Sequence, residues 1–132
     1  MTTTRRALLA LGAVAVLALA PNEGRAAPGR PFSAEAFAAA QEGGRPILIA
    51  VAAPWCPICR TQKPILAKLA EDPRFKGLEI FEIDFDTQKD LMRRFDARQQ
   101  STLIAFKGAT EVGRSVGETQ PEWIESLLEK ML

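Results

Sequence analysis

Residues 47–53, Ile-Leu-Ile-Ala-Val-Ala-Ala, form an unbroken apolar run, the pattern of a central strand covered on both faces. The segments on either side of it have helical spacing. Ser33 can cap a preceding helix, Phe32 and Phe37 have hydrophobic-staple spacing, and Gly43-Gly44 ends it. After the apolar run, a helix from about Cys56 to Leu69 places Ile65, Leu66 and Leu69 on one side, with Pro64 inside to kink it. Leu78 to Phe85 alternates apolar and acidic residues as a second strand, and a helix with Leu91, Met92 and Phe95 inward follows. Leu103 to Phe106 reads as a third strand, Gly108 as a turn, and Glu111 to Val116 as the returning hairpin partner. Gly117 breaks the pattern. Thr119 and Glu122 then have capping-box spacing for a last helix burying Ile124, Leu127, Leu128 and Met131. The predicted order is α-β-α-β-α-β-β-α, an α/β domain, with residues 27–31 as a linker in front of it.

The first 26 residues do not fit that domain. Arg5 and Arg6 precede an uncharged apolar run from Ala7 to Ala20, and small residues at Gly24, Ala26 and Ala27 follow. This is the pattern of an export signal, cleaved after Ala26 or Ala27, and the run is short for a membrane span. Thr4-Arg5-Arg6-Ala7-Leu8-Leu9 also resembles a twin-arginine signal, so both the Sec and twin-arginine routes stay open. An uncleaved segment would instead tether the same domain to a membrane. Removing residues 1–26 takes away Arg5, Arg6, Arg25 and Glu23, leaving 14 basic and 15 acidic groups and a net charge of −1. That balance gives no electrostatic case for nucleic acid or an anionic membrane as partner. The remaining 27–132 can fill one small core, and an exported location points to a bacterial periplasm.

Candidate chemistry concentrates in Trp55-Cys56-Pro57-Ile58-Cys59, which holds both cysteines of the chain. Two intervening residues let the sulfurs meet across the first turn of a helix, where free N–H groups and the helix dipole favour a thiolate. A thiolate attacks disulfides, and a neighbouring thiol releases the mixed disulfide. Other uses of the motif are weaker. A structural bridge over so short a loop gains only about 2 kcal/mol. Haem attachment needs His after the second cysteine, where Arg60 stands, and a closed zinc site needs four ligands in a chain with no histidine. Two thiolates could still hold Cu(I), or half of a cluster shared between chains.

These residues resemble the thioredoxin superfamily over nearly all of 27–132. Beyond Trp-Cys-x-x-Cys at 55–59, Pro64 matches the proline that bends the family's active-site helix. Ser101-Thr102-Leu103-Ile104-Ala105-Phe106-Lys107-Gly108 is similar to its Pro-Thr-strand-Phe-Lys-x-Gly stretch, and Gly117 matches the glycine beside the active site. The resemblance implies a thioredoxin-like fold, a central mixed β-sheet flanked by helices, with Cys56 as nucleophile and Cys59 as resolving thiol. It implies that Trp55, Pro57 and Ile58, with Gln100, Ser101, Thr102 and Gly117, shape the surface where a substrate lands. No cofactor is implied beyond the redox-active disulfide.

Three departures from the family pattern carry information. Ser101 stands where the family has a cis-proline. A non-proline cis bond costs about 2.5–4 kcal/mol, so the Gln100–Ser101 bond is expected to be trans. The family uses that loop to pair with substrate backbone and to screen the cysteines from metals, so Ser101 bears on both; the blander reading is that it keeps the loop shape. Ala50 replaces the buried acid that helps deprotonate the resolving thiol. Glu82 stands near the place of a family lysine and offers a carboxylate below the cysteines as proton acceptor. The plainer expectation for Glu82 is a solvent-facing acid at a strand edge, since acids are rarely buried without partners.

Pro57-Ile58 between the cysteines is apolar and uncharged, so the thiolate has only the helix terminus and Arg60 or Lys63 to support it, which predicts a reducing couple. The expected activity is that of an exported thiol–disulfide oxidoreductase, acting as a monomer on a client protein's disulfide or thiol. A membrane thiol electron donor would recharge it, and after signal cleavage the membrane itself is no partner. The alternatives are a copper-binding or delivery module using Cys56 and Cys59, and a non-catalytic binding module.

Overall fold

The computed structural model describes residues 29–132. The signal expected over 1–26 lies outside the described residues, as do positions 27 and 28 of the expected linker. The elements run β1 (Arg30–Pro31), α1 (Ala34–Glu42), β2 (Pro46–Ala52), α2 (Pro57–Ala70), a 3-10 turn (Pro73–Phe75), β3 (Glu79–Asp84), α3 (Lys89–Arg94), β4 (Thr102–Lys107), β5 (Thr110–Val116) and α4 (Pro121–Glu129). They build one five-stranded mixed sheet in the order β1-β3-β2-β4-β5, with β1, β3 and β2 parallel and β4 and β5 antiparallel.

Two local expectations change. Arg30 and Pro31, assigned to the linker, form β1 and pair in parallel with Phe81 and Glu82. The strand is fixed from outside: Phe32 donates its N–H to the Glu82 carbonyl at 2.9 Å, and Arg30 reaches Glu79 at 3.0 Å. The Thr119–Glu122 capping box does not form. The Glu118 carboxylate instead accepts the N–H groups of Thr119 (3.0 Å) and Gln120 (2.9 Å), so Gln120 becomes the cap residue and Pro121 opens α4. The first helix starts as expected, with the Ser33 hydroxyl accepting from Ala36 N–H at 3.3 Å and the Phe32 and Phe37 rings 5.5 Å apart.

Strand β2 is buried on both sides, as its apolar run predicts. Ile47, Ile49 and Val51 pack with Phe37, Phe81, Met92, Phe95 and Phe106 under α1 and α3. Leu48 and Ala50 pack with Leu66, Ile80, Leu103, Ile124 and Leu128 under α2 and α4. The alternating side chains of a strand make this division. The parallel register of β2 with β3 sets Ala50 beside Glu82, on the face that α2 covers.

Candidate active site

Helix α2 begins where β2 ends, and Cys56 is its cap residue. Pro57 takes the first helical position, where its missing N–H leaves no partner unsatisfied. Cys56 and Cys59 are joined as a disulfide, with Cα atoms 5.3 Å apart. The two sulfurs face different surroundings. Cys56 Sγ accepts the Cys59 backbone N–H at 3.2 Å, whereas Cys59 Sγ lies 3.9 Å from the Val51 carbonyl oxygen. An N–H favours negative charge on sulfur and a carbonyl oxygen disfavours it, so once the bridge opens the anion belongs on Cys56.

Both cysteines are buried, at 1% and 3% exposure, while Trp55, Ile58 and Val116 around them are exposed. Trp55 is held from the side by residues that sequence reasoning missed. Its indole N–H donates to Asp86 at 2.9 Å, and its ring meets Phe85 edge-on with centroids 6.0 Å apart. Asp86 sits in a turn organised by Asp84, whose carboxylate accepts N–H bonds from Thr87 (2.9 Å) and Asp86 (2.8 Å). The Thr87 backbone bond is the largest influence holding the Asp84 carboxyl below its usual range.

The loop beside the disulfide carries Gln100, Ser101 and Thr102. No described peptide bond is cis, so the Gln100–Ser101 bond is trans as expected. Ser101 has φ +58°, in the left-handed region that side chains with a Cβ disfavour. It is buried and tied on each side: its N–H donates to Val51 O at 2.7 Å, its carbonyl accepts from Gly117 N–H at 3.1 Å, and its hydroxyl donates to Gln100 O at 2.5 Å. Thr102 is also buried and bonds Gln99 O at 2.7 Å through its hydroxyl. Gly117 takes φ +73°, and a side chain there would point at Ile58, whose Cδ1 is 4.0 Å from the position of an added Cβ. The structure thus brings Gln100, Ser101, Thr102 and Gly117 to one side of the Cys pair.

Glu82 is not an edge residue facing solvent. Strand β3 lies between β1 and β2, and Glu82, with a side chain 35% exposed, lines a cleft of about 230 Å³ between α2 and the sheet. Cys59, Ala50, Gln62, Lys63 and Leu66 share that cleft. A second cleft of about 380 Å³ also meets Cys59, Lys63 and Glu82. The Lys63 ammonium stands 3.9 Å from the Glu82 carboxylate. Space is left where the family's acid would stand, and the Glu82 carboxylate borders it from the adjacent strand. Among the described residues no group of three or more Cys, Asp or Glu is placed to hold a metal, so the two sulfurs find no third ligand of those types there.

Residues 31–130 match the family model described as Thioredoxin. The chain belongs to the thioredoxin family. A crystal structure of Trxlp from Edwardsiella tarda is 42% identical, with a TM-score of 0.73 over 76% of this chain and 97% of that one. A thioredoxin of Alicyclobacillus acidocaldarius is 30% identical over 96 residues, covering 73% of this chain and 90% of its own length. A thioredoxin of Aspergillus fumigatus is 30% identical over 81 residues, covering 61% of this chain and 74% of its own. As a thioredoxin-family protein with a disulfide-forming pair at a helix start, this chain is a thiol–disulfide oxidoreductase. Its fold and Cys56–Cys59 bridge agree with what the sequence implies. The thioredoxin fold also implies a client protein that donates or accepts the disulfide, and among the described residues no helix is long and apolar enough to cross a membrane.

Proposed function

We propose that the protein is an exported, periplasmic reductase of disulfides in other proteins, with residues 1–26 as its Sec or twin-arginine signal and 27–132 as the working domain. The observation that carries the direction is the set of groups around Cys56 Sγ. One backbone N–H at 3.2 Å and the N-terminus of α2 support its charge, and the intervening Pro57 and Ile58 add none. So modest a stabilisation of the thiolate leaves the dithiol ready to give up its electrons.

In the reduced protein the Cys56 thiolate attacks a client disulfide, forming a mixed disulfide and expelling the client's second sulfur as thiolate. Cys59 then loses its proton and attacks Cys56 Sγ, which frees the client dithiol and restores the bridge. Trp55, Pro57, Ile58, Gln100, Ser101, Thr102 and Gly117 form the landing surface, where the exposed Trp55, Ile58 and Val116 offer apolar contact. Glu82 receives the Cys59 proton through the shared cleft, supported by its position beside Ala50 and by the opening of that cleft onto Cys59. A membrane thiol donor, acting on the monomer, returns the two electrons.

The deciding measurement is the reduction potential of the Cys56–Cys59 pair, followed by Trp55 fluorescence in thiol–disulfide buffers. A value near about −270 mV supports the reductase, and one towards about −120 mV makes the protein an oxidant. Export is tested by N-terminal sequencing of protein from the periplasmic fraction, which should begin at Ala27 or Pro28. For Glu82, the Glu82→Gln variant should slow release of a preformed mixed disulfide on the order of a hundredfold, the lower range for general-base assistance. Unchanged release would remove Glu82 from the mechanism.

A further inference from the structure

Gln62 borders the cleft beside Cys59 but takes no step in the chemistry above, and it is 3% exposed on α2, three residues after Cys59. The inner face of a helix ordinarily takes an apolar residue. Here the carboxamide nitrogen, Nε2, donates to the Ser101 carbonyl at 3.2 Å and to the Glu118 carbonyl at 2.9 Å. Those carbonyls belong to different loops, one leading into β4 and one leaving β5. The same Ser101 oxygen accepts the Gly117 N–H at 3.1 Å, so both loops and the active-site helix meet at one acceptor.

That junction holds a residue in a costly conformation. Ser101 at φ +58° persists only if its surroundings over-determine it. The family's proline would fix the loop through its own ring; serine has no such constraint. The restraint must come from partners, and the Gln62 side chain is the partner that reaches it from the helix bearing the disulfide.

We propose that Gln62 is the positioning residue of the client groove. It locks the Ser101 loop and the Gly117–Glu118 turn to α2 and so sets the distance between Cys56 and the backbone a client chain lies against. This rests on the oxidoreductase reading and deepens it. Gln62 itself touches neither sulfur nor client, so its loss affects docking of an extended protein segment and spares exchange with a small disulfide.

The test uses Gln62→Met, which keeps length and bulk but removes both N–H donors, and Gln62→Glu, whose carboxyl can donate only when protonated. With insulin as the protein disulfide, Gln62→Met should raise KM about tenfold and leave kcat within about twofold. Turnover of bis(2-hydroxyethyl) disulfide and the redox equilibrium with glutathione should stay as in the parent protein. Amide exchange at Gly117, read by NMR without any client, should quicken. Gln62→Glu should behave like Gln62→Met at neutral pH and regain both KM and Gly117 protection as acid protonates its carboxyl, a recovery that loss of packing alone would not produce. Unchanged KM and unchanged Gly117 exchange in a folded Gln62→Met overturn the proposal, as does an equal loss with the small disulfide. If Gln62→Met does not fold, Gly117 protection in Gln62→Glu that, measured against the parent protein at the same pH, does not rise between neutral and acid pH overturns it. A parent protein that turns over neither substrate would sink the oxidoreductase reading instead, and the Gly117 exchange would still decide the role of Gln62.

Discussion

Under α1 and α3 the sheet is sealed by phenylalanine, whereas under α2 it is bordered by alanine and left open. Phe32, Phe37, Phe81, Phe95 and Phe106 meet one another at centroid distances of 5.3–6.1 Å, mostly edge to face. On the opposite face Ala50, Ala67 and Ala70 border the cleft that reaches Cys59. The hollow is local, because farther along the same face Phe75, Leu78, Ile124 and Leu128 are fully buried. Strand β2 serves both regions, giving Ile47, Ile49 and Val51 to one and Leu48 and Ala50 to the other. One face is closed by packed rings, and on the other the space beside Cys59 stays open, with Glu82 at its border.

Phe37→Ala should have the largest effect on the sealed face. Phe37 is 3% exposed and in ring contact with four other phenylalanines, so truncation should cost about 3–5 kcal/mol, read from the shift in denaturant midpoint. The reduction potential of the same variant should not move. A cost under about 1 kcal/mol would mean that the aromatic face is not where the stability resides.

Ser101→Pro comes next, at the rim of the open face. Proline holds φ near −65° and has no N–H, but position 101 has φ +58° and donates to Val51 O. The substitution should therefore destabilise by more than about 1 kcal/mol, despite matching the family pattern. Ser101→Gly should gain up to about 1 kcal/mol by releasing the left-handed strain, less what glycine loses in chain entropy. Thermal unfolding of the pair decides: a stable proline variant would mean that the loop can rebuild around it.

Ala50→Leu tests the hollow itself. Filling it should cost no more than the low end of the about 1–3 kcal/mol of overpacking a closed core, because the added carbons enter existing space. Release of a mixed disulfide should slow about tenfold as water and Glu82 are shut away from Cys59, measured by rapid quench. A stability loss of several kcal/mol would show that the region is packed after all.

Much of this contrast was legible in the sequence because it is local. The run at 47–53 announces a strand with two covered faces, Ser33 and Phe32 announce a helix start, and Cys56–Cys59 announces a redox pair. What escaped depends on neighbours distant in the chain. A two-residue strand containing Pro31 has no periodicity, and it exists because Phe81 and Glu82 offer pairing partners. The start of α4 moved because Glu118 captured the N–H groups that Thr119 was expected to help cap. Glu82 reads as exposed until the β2–β3 register sets it beside Ala50. Gln62 looks like a surface position in a helix otherwise rich in polar residues, and its two carbonyl partners lie 39 and 56 residues away.

At low pH the rim of the open face should respond only slightly. Asp84 is held below the usual carboxylate range chiefly by the Thr87 backbone N–H, with further help from the Thr87 side chain, Asp86 N–H and Lys89. A carboxyl lowered in the folded state adds stability that is complete above its unfolded pKa, about 3.9, and is lost as pH falls through the lower folded value. The group keeps contact with solvent, so the change is small, but its location makes it visible. The turn it organises presents Asp86 to the Trp55 indole. Trp55 fluorescence should therefore shift on acidification below about pH 4. Asp84→Asn should show the acid-like spectrum already at neutral pH and lose most of the titration. The cost of Phe37→Ala should meanwhile be the same above and below the transition, since the charged groups stacked on those rings, Arg30 and Arg94, keep their charge throughout it. An Asp84→Asn protein with the parent's full fluorescence titration would assign the pH response to another carboxylate and leave the Asp84 turn without a role in holding Trp55.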